Sequence, residues 1–197
     1  MVSFRTLTAA AAFLAPALAV GLTPAELVSS IQALTQKAGS IKTVNAEGVT
    51  KTVTDTAGTL LGSVTHFNGD ITDLTHKVTA MAPIPAGVDA DNVFDAYEEF
   101  LGAAGPVVTL VQSTLGELLG GVLGLREVGD VVDTASNTIG PLLTPALRVT
   151  HININGLGAA IVTVVNSHAT DIHTETNNLL TTIDGVLKTV EGAAGAN

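Results

Sequence analysis

VTDTAGTLLGSVTHFNGDITDLTHKVTAM, from Val53 to Met81, decides the fold. Val53, Leu60, Val64, Phe67, Ile71, Leu74, Val78 and Met81 recur at helical spacing, with Ala57 filling the gap and Val49 continuing the stripe upstream. The other side carries Lys51, Thr52, Asp55, Thr59, Ser63, His66, Asp73 and Lys77. One apolar stripe opposite one polar face is the mark of an amphipathic helix with a core to lean on. Asn68-Gly69-Asp70 is turn-like by composition, but the stripe keeps its phase on both sides of it, so one helix is predicted. Pro83-Ile84-Pro85 closes it, since proline lacks the N–H that a helix needs.

Working outward, the same period recurs. Upstream, Thr23-Pro24-Ala25-Glu26 opens a helix: Thr23 caps, Pro24 suits the first turn and Glu26 completes a capping box. Leu27, Ile31, Leu34, Ala38 and Ile41 follow, and Ala46-Glu47-Gly48 reads as a turn. Downstream, Asp89-Ala90-Asp91 starts a third helix with an acidic first turn. Val93, Phe94, Tyr97, Phe100, Leu101 and Ala104 lie on one side of it; Asp95, Glu98 and Glu99 face away. Pro106 is expected to kink or restart it. A fourth helical region is expected from Val128 to Val149, and a last one along Leu157, Ile161, Val164, Ile172, Leu179, Ile183, Val186 and Val190. No strand alternation persists, so the fold class is all-α, a bundle of about five helices. Thr, Val and Gly are weak helix formers, each costing from a few tenths to about 1 kcal/mol against Ala. Tertiary packing must hold these helices.

Gly105 to Leu125, GPVVTLVQSTLGELLGGVLGL, is long and apolar enough to raise a membrane span. Gln112, Glu117 and the glycines after Leu115 argue against it, because a carboxylate in lipid costs about 2.5 kcal/mol or more. The expectation is no transmembrane segment. As a central helix its glycines remove volume, which leaves two readings open: close helix contact, or a cavity for an alkyl chain.

At the ends, Arg5, the uncharged run Leu7–Leu18 and Ala17-Leu18-Ala19 read as a signal peptide over 1–19. The expected domain is 20–192, with a flexible tail over 193–197. Secretion, to the extracellular space or cell wall, is the expected localisation. Without Arg5 the chain has 18 acidic residues against 7 basic. That balance disfavours nucleic acid and anionic lipid headgroups as partners. One Tyr and no Trp disfavour carbohydrate recognition, which usually needs flat aromatic platforms, and the absence of Cys leaves stability to packing.

No G-x-S-x-G, P-loop, dinucleotide fingerprint or H-E-x-x-H occurs, so no catalytic residue, metal site or cofactor is expected and the chain reads as non-enzymatic. His168-Ala-Thr-Asp171-Ile-His173 is the densest cluster of metal-ligand types, but His173 falls off the face shared by His168 and Asp171; a solvated polar face is the expectation. The same holds for Glu98 and Glu99. The bulkiest apolar groups on faces that should converge are Phe67, Ile71, Phe94, Tyr97, Leu101, Leu115 and Leu118. They are the candidate lipid-binding residues.

LTPAELVSSIQALTQKAGSI and ADNVFDAYEEF resemble the fungal hydrophobic-surface-binding protein family, which is related to the cell-wall galactomannoproteins (antigenic mannoproteins). The resemblance spans roughly Leu22 to Val149 and rests most on Asp91, Phe94, Asp95, Ala96 and Phe100. Glu98 and Glu99 depart from it, since the family typically has a basic residue there. It implies a secreted helical bundle that adsorbs to hydrophobic surfaces or holds fatty acids and assists secreted hydrolases. From the amphipathic stripes and the lack of a membrane span, a monomeric or weakly associating chain is expected. A structural wall mannoprotein with a closed core and no ligand is the other expectation.

Overall fold

The computed structural model describes the backbone of residues 21–46, 53–124 and 129–194, and the side chains of 21–41, 58–114 and 143–189. The expected signal peptide lies outside the described residues. Five helices account for nearly all of the described chain: α1 (Pro24–Ala46), α2 (Val53–Thr79), α3 (Val88–Gly124), α4 (Gly129–Val164) and α5 (Ala169–Ala194), with a short 3-10 turn over Asn166–His168. Among the described residues there is no strand. The bundle is the expected all-α one. Its fifth helix runs to Ala194, into the stretch read as a tail.

The capping box forms as read. Glu26 Oε2 accepts from Thr23 N and Thr23 Oγ1, both at 2.8 Å, while Glu26 N donates to Thr23 Oγ1 at 3.3 Å. The Thr23 backbone N–H, and then its hydroxyl, hold the Glu26 carboxyl below the usual carboxylate range. In α2 the predicted stripe is the buried one: Leu60, Val64, Phe67, Ile71, Leu74 and Val78 are all shielded. The helix passes through Asn68-Gly69-Asp70 without a break and stops before the prolines.

Of the kink or restart expected at Pro106, the restart does not occur: α3 runs through it. The carbonyl freed by the missing N–H is that of Gly102, which is exposed, so solvent can take the lost donor's place. The break expected after Val149 is also absent: Leu157, Ile161 and Val164 belong to α4, and the chain turns at Val165, whose backbone leaves the helical region (φ -118°, ψ 63°). Asn166-Ser167-His168 then makes the corner as a single 3-10 turn, in which His168 N donates to the Val165 carbonyl at 3.2 Å. Periodicity hid this corner because Val164 and Ile172 are eight residues apart, close to two helical turns.

The packing order follows from which helices touch. α1 lies mainly on α3, α2 on α4, and α1 also meets α2. α3 and α4 touch each other, and α5 covers both on the far side after a turn of 116° from α4. The α1–α2 hairpin thus closes over an α3–α4–α5 unit along one seam. At one end of the bundle the helices are tied by short links: Ile84 N donates to the Val164 carbonyl at 2.7 Å, and His168 Nε2 sits 2.9 Å from Asp91 Oδ1. No single helix among the described residues is long and apolar enough to cross a membrane. Of the stretch Gly105 to Leu125, Val107, Val108 and Val111 fill the core.

Candidate functional site

Phe67 and Ile71 of α2 and Tyr97 and Leu101 of α3 enter one buried core, as their stripes require. Phe100 links them: its ring centroid lies 6.1 Å from that of Phe67 and 6.0 Å from that of Tyr97. An aromatic row therefore crosses the bundle from α2 toward α5. Phe94 takes a different place from its expected partners. It is half-buried at the edge of the core and stacks on His168, with centroids 4.7 Å apart and planes 3° from parallel. Leu115 and Leu118 belong to α3, and their side chains lie outside the described residues.

Tyr97 ends the row with a polar tip. Its hydroxyl is 2.9 Å from Thr176 Oγ1, and the Thr176 hydroxyl donates to the Ile172 carbonyl at 2.6 Å. With the threonine proton committed, Tyr97 is the donor of the pair. Burial pushes the phenol up to about 12, offset in part by the Thr176 hydroxyl, which can turn to serve a phenolate. Such a tyrosine stays protonated at neutral pH. Gly158 makes room for this pair. A Cβ there would stand 2.7 Å from Thr176 Oγ1 and 2.8 Å from Tyr97 Oη.

The seam carries a different polar group. Asn68 Nδ2 donates to the Ala146 carbonyl at 3.1 Å and Asn153 Nδ2 donates to the Asn68 carbonyl at 3.0 Å, both between α2 and α4. Asn68 Oδ1 is buried with no hydrogen-bond partner among the described residues. Sequence reasoning missed both features. A glycine inside the apolar stripe Leu157–Ile161 and an asparagine on the edge of the α2 stripe were the available signals.

Concave surface lies between helices. A groove of about 220 Å³ between α1 and α2 has Ile41 and Phe67 at its base and Lys37, His66 and Asp70 around it. A larger one, about 430 Å³, separates α1 from α3. A third, about 370 Å³, lies between α4 and α5. Along α2 and α5 many threonine hydroxyls are satisfied by their own helix. Thr65, Thr72, Thr75, Thr174, Thr181, Thr182 and Thr189 each donate to the carbonyl four residues back. A hydroxyl so engaged has no proton left for water, and back-bonding of this kind slightly weakens the helix that carries it.

The His168 cluster is structural in form: His168 bridges Asp91 and, at 3.9 Å, Asp171, while His173 is exposed. Among the described residues no three His, Cys, Asp or Glu side chains gather as metal ligands would. Glu98 and Glu99 are exposed, as read. Comparison of the chain with family models, with curated proteins and with solved structures finds no match.

Proposed function

We propose that this is a secreted, non-enzymatic bundle that binds hydrophobic surfaces or fatty-acid-like lipids through the apolar faces of its helices. The observation that carries the reading is the seam between the α1–α2 hairpin and α3–α4. It is apolar apart from Asn68 and its neighbours, it buries Phe67 and Ile71, and the α1–α2 groove reaches Phe67 from outside. An apolar surface offers those faces a replacement partner worth roughly 25 cal/mol per Å². A few hundred Å² then supplies on the order of 5–10 kcal/mol, comparable to the stability of a small domain. Weak helix formers and back-bonded threonines keep opening inexpensive. The resemblance to the hydrophobic-surface-binding family points the same way and brings a secreted hydrolase as a candidate client. The second reading is a structural wall mannoprotein; the buried aromatic row favours it, since a core already filled needs no ligand.

A cross-link over the seam separates the two. A Cβ on Gly156 of α4 would lie 3.9 Å from the Thr75 methyl of α2, and the chain has no cysteine to interfere. Thr75→Cys with Gly156→Cys should close a disulfide across the seam. Retention on wax or polystyrene beads is then measured in low and high salt. The expected result is retention of wild type and of the reduced variant at both salt levels, with loss on oxidation. Elution of wild type by moderate salt favours the closed wall protein, and full retention of the oxidised form would separate adsorption from opening of the seam. Native mass spectrometry of the secreted protein checks the carrier form through co-purified fatty acid.

A further inference from the structure

Asn68 stands in line with the apolar stripe of α2, one turn from buried Val64 and from buried Ile71, and meets α4 at Ala146. It is 5% exposed, and its Oδ1 has no hydrogen-bond partner among the described residues. The amide can point only one way. Nδ2 donates to the Ala146 carbonyl, and a flipped amide would press two acceptor oxygens together. The unmet atom is therefore an acceptor. The hydroxyl protons beside it are committed elsewhere: Thr72 donates to the Asn68 carbonyl at 2.9 Å and Thr150 to the Ala146 carbonyl at 3.0 Å. Asn153 Nδ2 also serves the Asn68 carbonyl.

The charge of the interior adds a second constraint. Among the described residues the buried polar side chains outside the aromatic row are Asn68, Thr114, Thr150 and Thr176, all neutral, and no Asp, Glu, Lys, Arg or His is buried. An ion entering the seam meets no counter-ion there, and a charge taken from water without one is costly. The net charge of -10 opposes the approach of an anion as well. A hydroxyl brings the proton that Oδ1 lacks and no charge.

We infer that the seam selects a neutral long-chain lipid that ends in a hydroxyl, a fatty alcohol in its simplest form, over the ionised fatty acid of the same length. The ligand O–H donates to Asn68 Oδ1. Its chain lies along Val64, Phe67 and Ile71 of α2 and Leu143 and Leu147 of α4, which are apolar and buried. Oδ1 is sealed while the bundle is closed, so this rests on the reading that the seam opens to lipid, and it names the headgroup that the opened face prefers. The acceptor that weakens the closed seam is then the one polar contact that orients a ligand within it.

Equilibrium dialysis of the secreted protein against dodecanol, dodecyl methyl ether and dodecanoate tests this at about pH 8, where a carboxylic acid is ionised. The three ligands share an alkyl chain and differ at one end, which is a donor, an acceptor alone or an anion. Dodecanol should bind roughly tenfold tighter than the ether, and roughly tenfold or more tighter than the anion. Apolar contact alone predicts the reverse order for the first two, because the ether is the less polar and gains more on leaving water. Asn68→Leu should abolish the preference for dodecanol over the ether. That ratio does not depend on how readily the seam opens, since opening scales all three affinities together. Equal or tighter binding of the ether by wild type overturns the inference, as does tighter binding of dodecanoate, or a folded Asn68→Leu variant that keeps the preference. Each of these leaves lipid binding itself standing. Binding of none of the three overturns the inference together with the lipid-carrier reading beneath it. The wild-type order needs no variant, so a misfolded Asn68→Leu leaves the test intact.

Discussion

The α3–α4–α5 junction and the α1–α2 seam both bury polar side chains, and they treat them in opposite ways. At the junction, Tyr97 and Thr176 pair with each other, Thr176 passes its proton to Ile172, and Gly158 clears the space they occupy. At the seam, Asn68 makes one side-chain hydrogen bond and leaves its Oδ1 without a partner among the described residues. An amide has two donors and two acceptor sites, so most of Asn68's capacity goes unused. A satisfied buried pair fixes one register, whereas a half-satisfied group subtracts from the stability of the contact that buries it. The bundle is thus expected to come apart at the seam before the junction.

The largest expected effect breaks the junction. Gly158→Ala drives a methyl into the hydroxyl pair, and the tyrosine ring cannot yield without moving the aromatic row behind it. Overpacking together with a lost buried hydrogen bond should cost about 2–4 kcal/mol, measured by urea denaturation.

Alkali probes the same place without a mutation. The folded Tyr97 holds its proton to about pH 12, against 10.0 for an ordinary tyrosine. Between these values the unfolded chain has lost the proton that the native chain keeps, so stability falls as pH rises. The contribution is complete below pH 10 and gone above about pH 12, a loss of about 2–3 kcal/mol over that window. Tyr97→Phe should be about 1 kcal/mol less stable at neutral pH and should lack this alkaline component.

Asn68→Leu sharpens the comparison from the seam side. It removes the orphaned oxygen, and the Ala146 carbonyl keeps Thr150 Oγ1 as a donor at 3.0 Å. Stability should rise by up to about 1 kcal/mol. Bead retention should weaken in step, if opening at the seam is what exposes the apolar faces. Equal or stronger retention with greater stability would separate adsorption from opening.

The smallest expected effect is at Lys37, which pairs with Asp70 across the hairpin with its side chain 55% exposed. Lys37→Ala should change the melting free energy by less than about 1 kcal/mol. A larger change would mean that the hairpin itself, rather than its seam, is the weak part.

Helix class, the α1 cap, the buried stripe of α2 and the acidic start of α3 follow from periodicity and capping, because these depend on residues within a few positions of one another. Phe67, Ile71, Tyr97 and Leu101 were legible as core-facing for the same reason. What lay beyond reach were decisions made between distant residues. Val165 turns the chain where no proline or glycine marks a corner, and the stripe stays in phase across it. Phe94 leaves its predicted companions because His168, far along the chain, stands beside it. Gly158 reads as a helix defect until Tyr97 and Thr176 are seen to need its missing side chain. Arg148 and Lys188 are scattered charges until α4 and α5 bring them to one groove. Local sequence sets which face of a helix is apolar, through a period of 3.6 residues. Which partner that face meets, and which polar groups are buried with it, is set by the packing of all five helices together.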